Sequence, residues 1–218
     1  MKEIKEQEKE QRRNYILDVA EKLFFSRGYD DVSMDDIANE VELNKATLYL
    51  YFKNKESLFF AIVLRGVRIL HAMVSEGVKN CENGIKILYL TGIAYFNFVN
   101  KYPDYNQAYL YFLSGRFAIE DRENVNEDAK EILRLRQDTF AIKCNAIKLG
   151  IEEGVIRQDV DPVEMTVFVT MIIKGLTEMR PDVKKILEDR GISQHQFFRD
   201  AADSIHRMLM NTEKKDPK

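Results

Sequence analysis

Asn44-Lys45-Ala46-Thr47-Leu48-Tyr49-Leu50-Tyr51-Phe52-Lys53-Asn54-Lys55-Glu56-Ser57-Leu58 is the stretch that decides how this chain folds. Asn44 is a good N-cap, and Leu43 and Leu48 have the spacing of a hydrophobic staple, so a short helix begins at Lys45. It runs to about Tyr51, and Phe52-Lys53-Asn54 breaks it. Asn54 caps a longer helix carrying Leu58, Ile62, Val63, Gly66, Val67, Leu70 and Val74, which reaches about Lys79. Immediately upstream, Ser33-Met34-Asp35-Asp36 reads as a capping box, with Asp36 in the place of the usual Glu and a Val32/Ile37 staple. That helix is short because Glu42-Leu43-Asn44 reads as a turn. Before it, Tyr15, Ile16, Val19, Ala20, Leu23 and Phe24 form one stripe of an amphipathic helix, closed by Arg27 and Gly28.

Two short helices joined by a turn of about three residues have the outline of a helix-turn-helix. The second helix of such a pair enters the DNA major groove with its N-terminal end at the base edges. Here that end offers Asn44, Lys45, Ala46 and Thr47: a capped, electropositive helix start, one cation, one small residue and one hydroxyl. Tyr49, Tyr51 and Lys55 follow, and Ser33 opens the first helix of the pair. Phenols, ammonium groups and helix N-termini are common phosphate ligands. These eight residues are the candidate DNA contacts. Against them stand plainer roles: Tyr49 packing on the first helix, Tyr51 and Phe52 completing a small core, and Lys55 as a solvated lysine.

At this point the sequence resembles the TetR family of transcriptional repressors. The resemblance covers about residues 12–60 and rests on Arg13, Ile16-Leu17, Ala20, Leu23-Phe24, Gly28-Tyr29, Ser33, Ile37-Ala38 and the whole run from Asn44 to Leu58. It implies an N-terminal three-helix DNA-binding domain over residues 1–60. It also implies a divergent helical ligand-binding and dimerisation domain over 61–218, and release of DNA when a small molecule binds. Three positions depart from the pattern. Glu42 stands where the family often has Gly; if the turn needs a positive φ, that costs about 1 kcal/mol. Asn44 replaces the usual Ser or Thr cap, which is physically neutral. Leu50 stands where the family often has a His or an aromatic, so one phosphate contact is absent there.

Composition agrees with a helical chain. Of 218 residues 45% are hydrophobic, with only 4 Pro, 10 Gly and no Trp. So few breakers argue against a sandwich or barrel, which needs a turn every ~8–12 residues. The 33 Lys and Arg nearly balance 36 Asp and Glu, which excludes a basic coat for nucleic acid. Residues 1–60 are themselves acidic, with 10 basic against 13 acidic side chains. Phosphate affinity therefore needs a local basic face, and between Asn44 and Ser57 three Lys stand against Glu56 alone. Cys81 and Cys144 have neither a CxxC nor a nearby His pair, so disulfide and zinc modules are not expected. The start of the chain has no apolar core of a signal peptide. The most apolar stretch, Ile87 to Phe96, is far short of the ~20 residues of a membrane span. A soluble cytoplasmic protein is expected.

The remainder reads as five further helices, about nine in all: 84–101, 104–114, 126–153, 162–180 and a last one from Ser193. A polar loop is expected at Glu120–Asn124 and a frayed tail from Asn211. Ten aromatics fall between Tyr89 and Phe117. They suit either a core or a ring-lined pocket, and Tyr95, Phe98, Tyr109, Phe112 and Phe117 are the candidate ligand-binding residues. The helix from Pro162 is apolar almost all round, so it has both its own core and a partner to bury against. With the last helix it suits a two-fold dimer interface, in which Val167, Met171, Phe198 and Ile205 are the candidates. His71, His195 and His206 share no metal spacing, and no P-loop, GxSxG, HExxH or Rossmann pattern occurs. Neither enzyme activity, metal nor cofactor is expected. The reading is an all-α, homodimeric, ligand-responsive repressor of a near-palindromic operator in double-stranded DNA, without a membrane role. Two alternatives remain open: a DNA-anchored adaptor that binds a protein partner, and a helical ligand-binding protein without DNA binding.

Overall fold

The computed structural model describes residues 2–117 and 126–210, the first three of them as backbone only. Among the described residues there are ten helices and no strand, only an isolated antiparallel bridge between Ile156 and Met210. The helices are α1 Lys2–Arg27, α2 Met34–Glu40, α3 Lys45–Tyr51, α4 Lys55–Val78, α5 Gly84–Lys101, α6 Pro103–Phe112, α7 Glu127–Glu152, α8 Pro162–Thr177, α9 Pro181–Glu188 and α10 Gln194–Leu209. The loop Glu120–Asn124 and the tail from Asn211 expected from the sequence lie outside the described residues.

The caps set most of these boundaries. Ser33 Oγ accepts from the Asp36 amide at 3.1 Å while the Asp36 carboxylate accepts from the Ser33 amide at 2.7 Å, so the capping box is complete with Asp in place of Glu. Asn54 accepts from the Ser57 amide at 2.8 Å at the start of α4. Asp161 accepts from the amides of Val163 and Glu164, with Pro162 at the first helical position. The tenth helix, α9, is the one the sequence reading missed. In the sequence Pro181 marks only the end of the preceding helix. A proline at the first helical position loses no hydrogen bond, so the same residue closes α8's segment and opens α9.

Two compact units emerge. The first comprises residues 1–69 and 102–135, the second residues 70–101 and 136–218. A division at residue 60 thus separates roles drawn from the sequence, while packing gathers α6 and the start of α7 with the N-terminal helices. In the first unit, Ile16, Leu17, Ala20 and Phe24 of α1 are buried with Ile37 of α2, Leu48 of α3, Leu58 to Leu64 of α4, and Phe112, Phe117 and Ile132. Rings supply much of this core: Phe60 meets Phe112 and Phe117 edge-on, with centroids 5.3 and 5.0 Å away. α4 is long and apolar enough to cross a membrane by composition, more so than the Ile87–Phe96 stretch. Its apolar residues from Leu58 to Leu64 are all buried, which accounts for that composition. In the second unit, Leu88, Ile147, Ile156, Val160, Val169 and Leu209 make the core. There α5 and α7 touch backbone to backbone: a Cβ on Gly84 would lie 2.3 Å from the Ala146 carbonyl oxygen.

Candidate nucleic-acid interface

α2 and α3 are held at a fixed angle by a turn built from backbone. The amide of Leu43 donates to the Ala38 carbonyl at 2.9 Å and that of Glu42 to the Asn39 carbonyl at 3.2 Å. This geometry requires Glu42 to adopt φ 54°, the left-handed region that L residues avoid. The position is thus one where glycine fits better, as the departure from the family pattern implied.

α3 is amphipathic over only two turns. Leu48 is fully buried and Phe52 nearly so, and they fix the helix to the core. Asn44 Oδ1 accepts from both the amide and the hydroxyl of Thr47, at 2.8 and 2.9 Å. Lys45, Ala46, Tyr49 and Leu50 lie at i, i+1, i+4 and i+5 and are all exposed, so they form the outward face. Leu50 is 77% exposed, far more than an isobutyl side chain needs for packing. Tyr51 turns partly inward and packs against the core of the first unit, so it serves the fold as well as any contact.

The cations here are not idle. Lys45 Nζ lies 2.7 Å from the Asp35 carboxylate at the start of α2. The hydrogen bond to Asp35 raises the lysine's pKa above its ordinary value, while its exposure lets the pair exchange. Lys55 Nζ donates to the carbonyls of Tyr29 and Val32, both at 2.8 Å, and sits 4.1 Å above the Tyr29 ring. Two of its three N–H donors therefore staple the α1–α2 loop. That role was not legible in the sequence, because the carbonyls lie 26 and 23 residues upstream. Burial, and then the negative charge of Glu56, pushes the Tyr29 phenol up to about 12, so the ring stays neutral beneath this cation. Ser33, expected as a contact, has its amide and hydroxyl engaged with Asp36.

Side chains from α6 and the segment after it complete the support of this domain. Tyr105 donates to Glu21 at 2.8 Å, and Arg65 bridges Asp18 and Glu21 at 2.7 and 3.1 Å. Tyr111 and Arg116 both donate to Asp30, at 3.0 and 2.6 Å, and Arg116 also donates to the Tyr111 oxygen. The carboxylates they meet lie 44 to 86 residues away in sequence, so no local spacing marks these pairs.

The five candidate ligand residues divide between the two units. Phe112 and Phe117 are buried among the rings of the first unit, and Tyr109 packs against the same core. Phe98 and Tyr95 belong to α5 in the second unit, where Phe98 is fully buried and Tyr95 donates to Glu178 at 2.9 Å. The division falls at Tyr102-Pro103, where α5 has ended and α6 begins. The second unit instead holds an open cavity of about 300 Å³ between α5, α8 and α10. Its wall includes Leu88, Tyr89, Val169, Ile173, Phe198 and Ile205, with His206 as a titratable neighbour. Of the ten clustered aromatics only Tyr89 lines it.

The interface candidates divide as well. Val167 and Met171 on α8 are 45% and 69% exposed. Phe198 is buried within its own chain, its ring 4.5 Å from that of Phe96, and Ile205 is half-buried in the cavity wall. Both point inward because α10 packs that side on α5 and α8, an arrangement its apolar stripe alone did not reveal.

Comparison with known proteins bears on this geometry. Residues 16–62 match the family model described as bacterial regulatory proteins, tetR family. The chain is 27% identical over 146 residues to the fatty acid metabolism regulator protein of Bacillus subtilis, covering 66% of this chain and 74% of that one. It is 30% identical over 91 residues to the HTH-type transcriptional activator FasR of Mycolicibacterium smegmatis, a match spanning 42% of each. The match thus covers less than half of FasR. The crystal structure of AibR in complex with isovaleryl coenzyme A and operator DNA shares the fold, with a TM-score of 0.66 at 22% identity over 91% of this chain and 98% of that one. Residues 16–62, within the domain built on α1 to α4, thus carry the likeness to the tetR family of bacterial regulatory proteins.

Proposed function

We propose that the protein is a cytoplasmic, ligand-responsive transcriptional repressor that binds a near-palindromic operator as a homodimer. The observation that carries this reading is the outward face of α3. Lys45, Ala46, Tyr49 and Leu50 project from a helix whose other side is fixed by Leu48 and whose start is capped by Asn44. Such a helix presents base-reading groups with little conformational freedom left to lose. Lys45 supplies a cation for a guanine edge or a phosphate, and the methyl groups of Ala46 and Leu50 suit a thymine methyl. The exposed apolar stripe of α8 supports dimerisation, which spaces the two α3 helices about one DNA turn apart. Occupancy of a promoter by such a dimer blocks transcription.

The effector is a small, largely apolar molecule, held in the cavity between α5, α8 and α10. A volume of about 300 Å³ lies at the small end of ligand sites and suits a short acyl or aromatic group. AibR was crystallised with an isovaleryl thioester, and the Bacillus subtilis relative regulates fatty acid metabolism, so acyl thioesters are the first candidates to test. Release of DNA follows if the effector favours a dimer geometry that DNA disfavours, and the coupling must then be reciprocal. The test is titration of protein with its own upstream DNA, with and without short-chain acyl-coenzyme A. Operator affinity falls on adding thioester, and thioester affinity falls by the same factor on adding operator. Coupling in one direction only would sink the model.

A further inference from the structure

The first turns of α1 carry a basic face that the helix-turn-helix reading leaves unused. Lys5, Lys9 and Arg12 stand at i, i+4 and i+7, so they share one side of the helix. Lys5, Lys9 and Arg12 line an open surface depression together with Glu8 and Tyr15 of α1 and Tyr51 of α3. Glu6 and Glu10 fall a quarter to a third of a turn from the centre of that side, while Glu8 stands beside Arg12 as the one carboxylate in the depression. The adjacency to α3 is fixed by the next residue along: Arg13 lies 4.9 Å over the ring of Phe52, directly after Tyr51, and pairs with Asp128 at 3.7 Å.

The three cations differ from those on α3 and α4. Lys45 is paired with Asp35 and Lys55 is held by two carbonyls. Among the described residues Lys5, Lys9 and Arg12 have no ion pair, and all three are exposed. Charges that the fold does not consume, beside the C-terminal end of a recognition helix, suit a polyanion running past that end. Tyr15 and Tyr51 place two aromatic side chains in the same depression, where their phenols suit phosphate oxygens.

We propose that this face of α1 is a second phosphate-binding surface, which grips the DNA backbone flanking the bases reached by α3. The inference rests on the DNA-binding function proposed above. Its contribution is sequence-independent, because phosphate contacts position a protein on DNA without reading it. It also accounts for how an acidic domain binds DNA: the net charge of residues 1–60 is irrelevant if three unpaired cations align along one strand.

The test uses the full-length protein and a Lys5→Gln, Lys9→Gln, Arg12→Gln variant. Glutamine is a good helix former and the sites are exposed, so α1 is retained, and circular dichroism verifies this. Duplexes are selected by the wild-type protein from a randomised library and then used long or trimmed to the selected core. On long duplex the variant's salt slope falls by roughly 2 to 3 per subunit. A fourfold rise in salt then costs the wild type roughly 15- to 60-fold more affinity per subunit than the variant. The variant selects the same core, and on trimmed duplex the two proteins converge. A Glu6→Gln, Glu10→Gln variant keeps the wild-type slope. If the triple variant matches the wild type in slope and affinity on long duplex, this surface is not a DNA contact, while the function proposed for α3 stands. If the wild-type protein selects no duplex, that function fails and this inference fails with it.

Discussion

Glu42 shows how one residue can carry a cost that the rest of the chain tolerates. Its φ of 54° serves the turn that sets α3 against α2, and an L residue there costs about 1 kcal/mol relative to glycine. Glu42→Gly is therefore expected to stabilise the protein by about that amount, read as a higher urea midpoint, with the DNA-binding face unchanged. A loss of stability would mean that the Glu42 side chain contributes more than its backbone costs. Lys143 is a second such residue. Its ammonium is half-buried between α7 and α8 and donates to the Thr170 hydroxyl at 2.5 Å, and burial lowers its pKa from 10.5 to about 8. The folded state then binds fewer protons than the unfolded state between pH 8 and 10.5, so this group makes stability rise with pH across that window. Below pH 8 the penalty of a buried charge is fully present. Lys143→Met is expected to raise the thermal midpoint at pH 7 and to remove the rise between pH 8 and 10, measured by thermal unfolding at several pH values.

At the level of elements, the helices were largely legible because their ends are written in side chains. Ser33, Asn44, Asn54, Asp161 and Ser193 each cap the helix that the sequence placed after them. The candidate face of α3 was legible too, since burial of Leu48 leaves few choices for the residues at its other side. What could not be read was how helices pair. The aromatic run from Tyr89 to Phe117 suits either a core or a pocket in the sequence, and Tyr102-Pro103 divides it between two units. Pro181 looked like a stop and is also a start. Lys55 reads in the sequence as a candidate phosphate contact, but its partners here are backbone carbonyls, which carry no residue-specific signal in a sequence.

For the whole molecule, the exposed stripe Val163, Val167 and Met171 recurs every fourth residue along α8. Those side chains are 52%, 45% and 69% exposed, in a helix whose opposite side includes the buried Thr166 and Val169. Met171→Glu is expected to shift the protein toward monomer in sedimentation analysis without unfolding it. Operator affinity should fall by at least about 100-fold, because each half-site is then bound alone. A variant that stays dimeric and binds normally would place the two-fold contact elsewhere. The cavity in the same unit borders α8, so the effector proposed to occupy it would meet the helix whose exposed stripe is proposed for dimerisation.

The pairing of Lys45 with Asp35 bears on how such a protein finds its target. Any duplex that engages the lysine must first draw it away from a carboxylate 2.7 Å off and leave that carboxylate near DNA. An exposed pair of this kind is worth at most about 1 kcal/mol. The toll falls equally on every duplex, and only a base edge that holds the lysine well repays it. Residence on random DNA is shortened accordingly, so the protein spends less of its search bound at the wrong place.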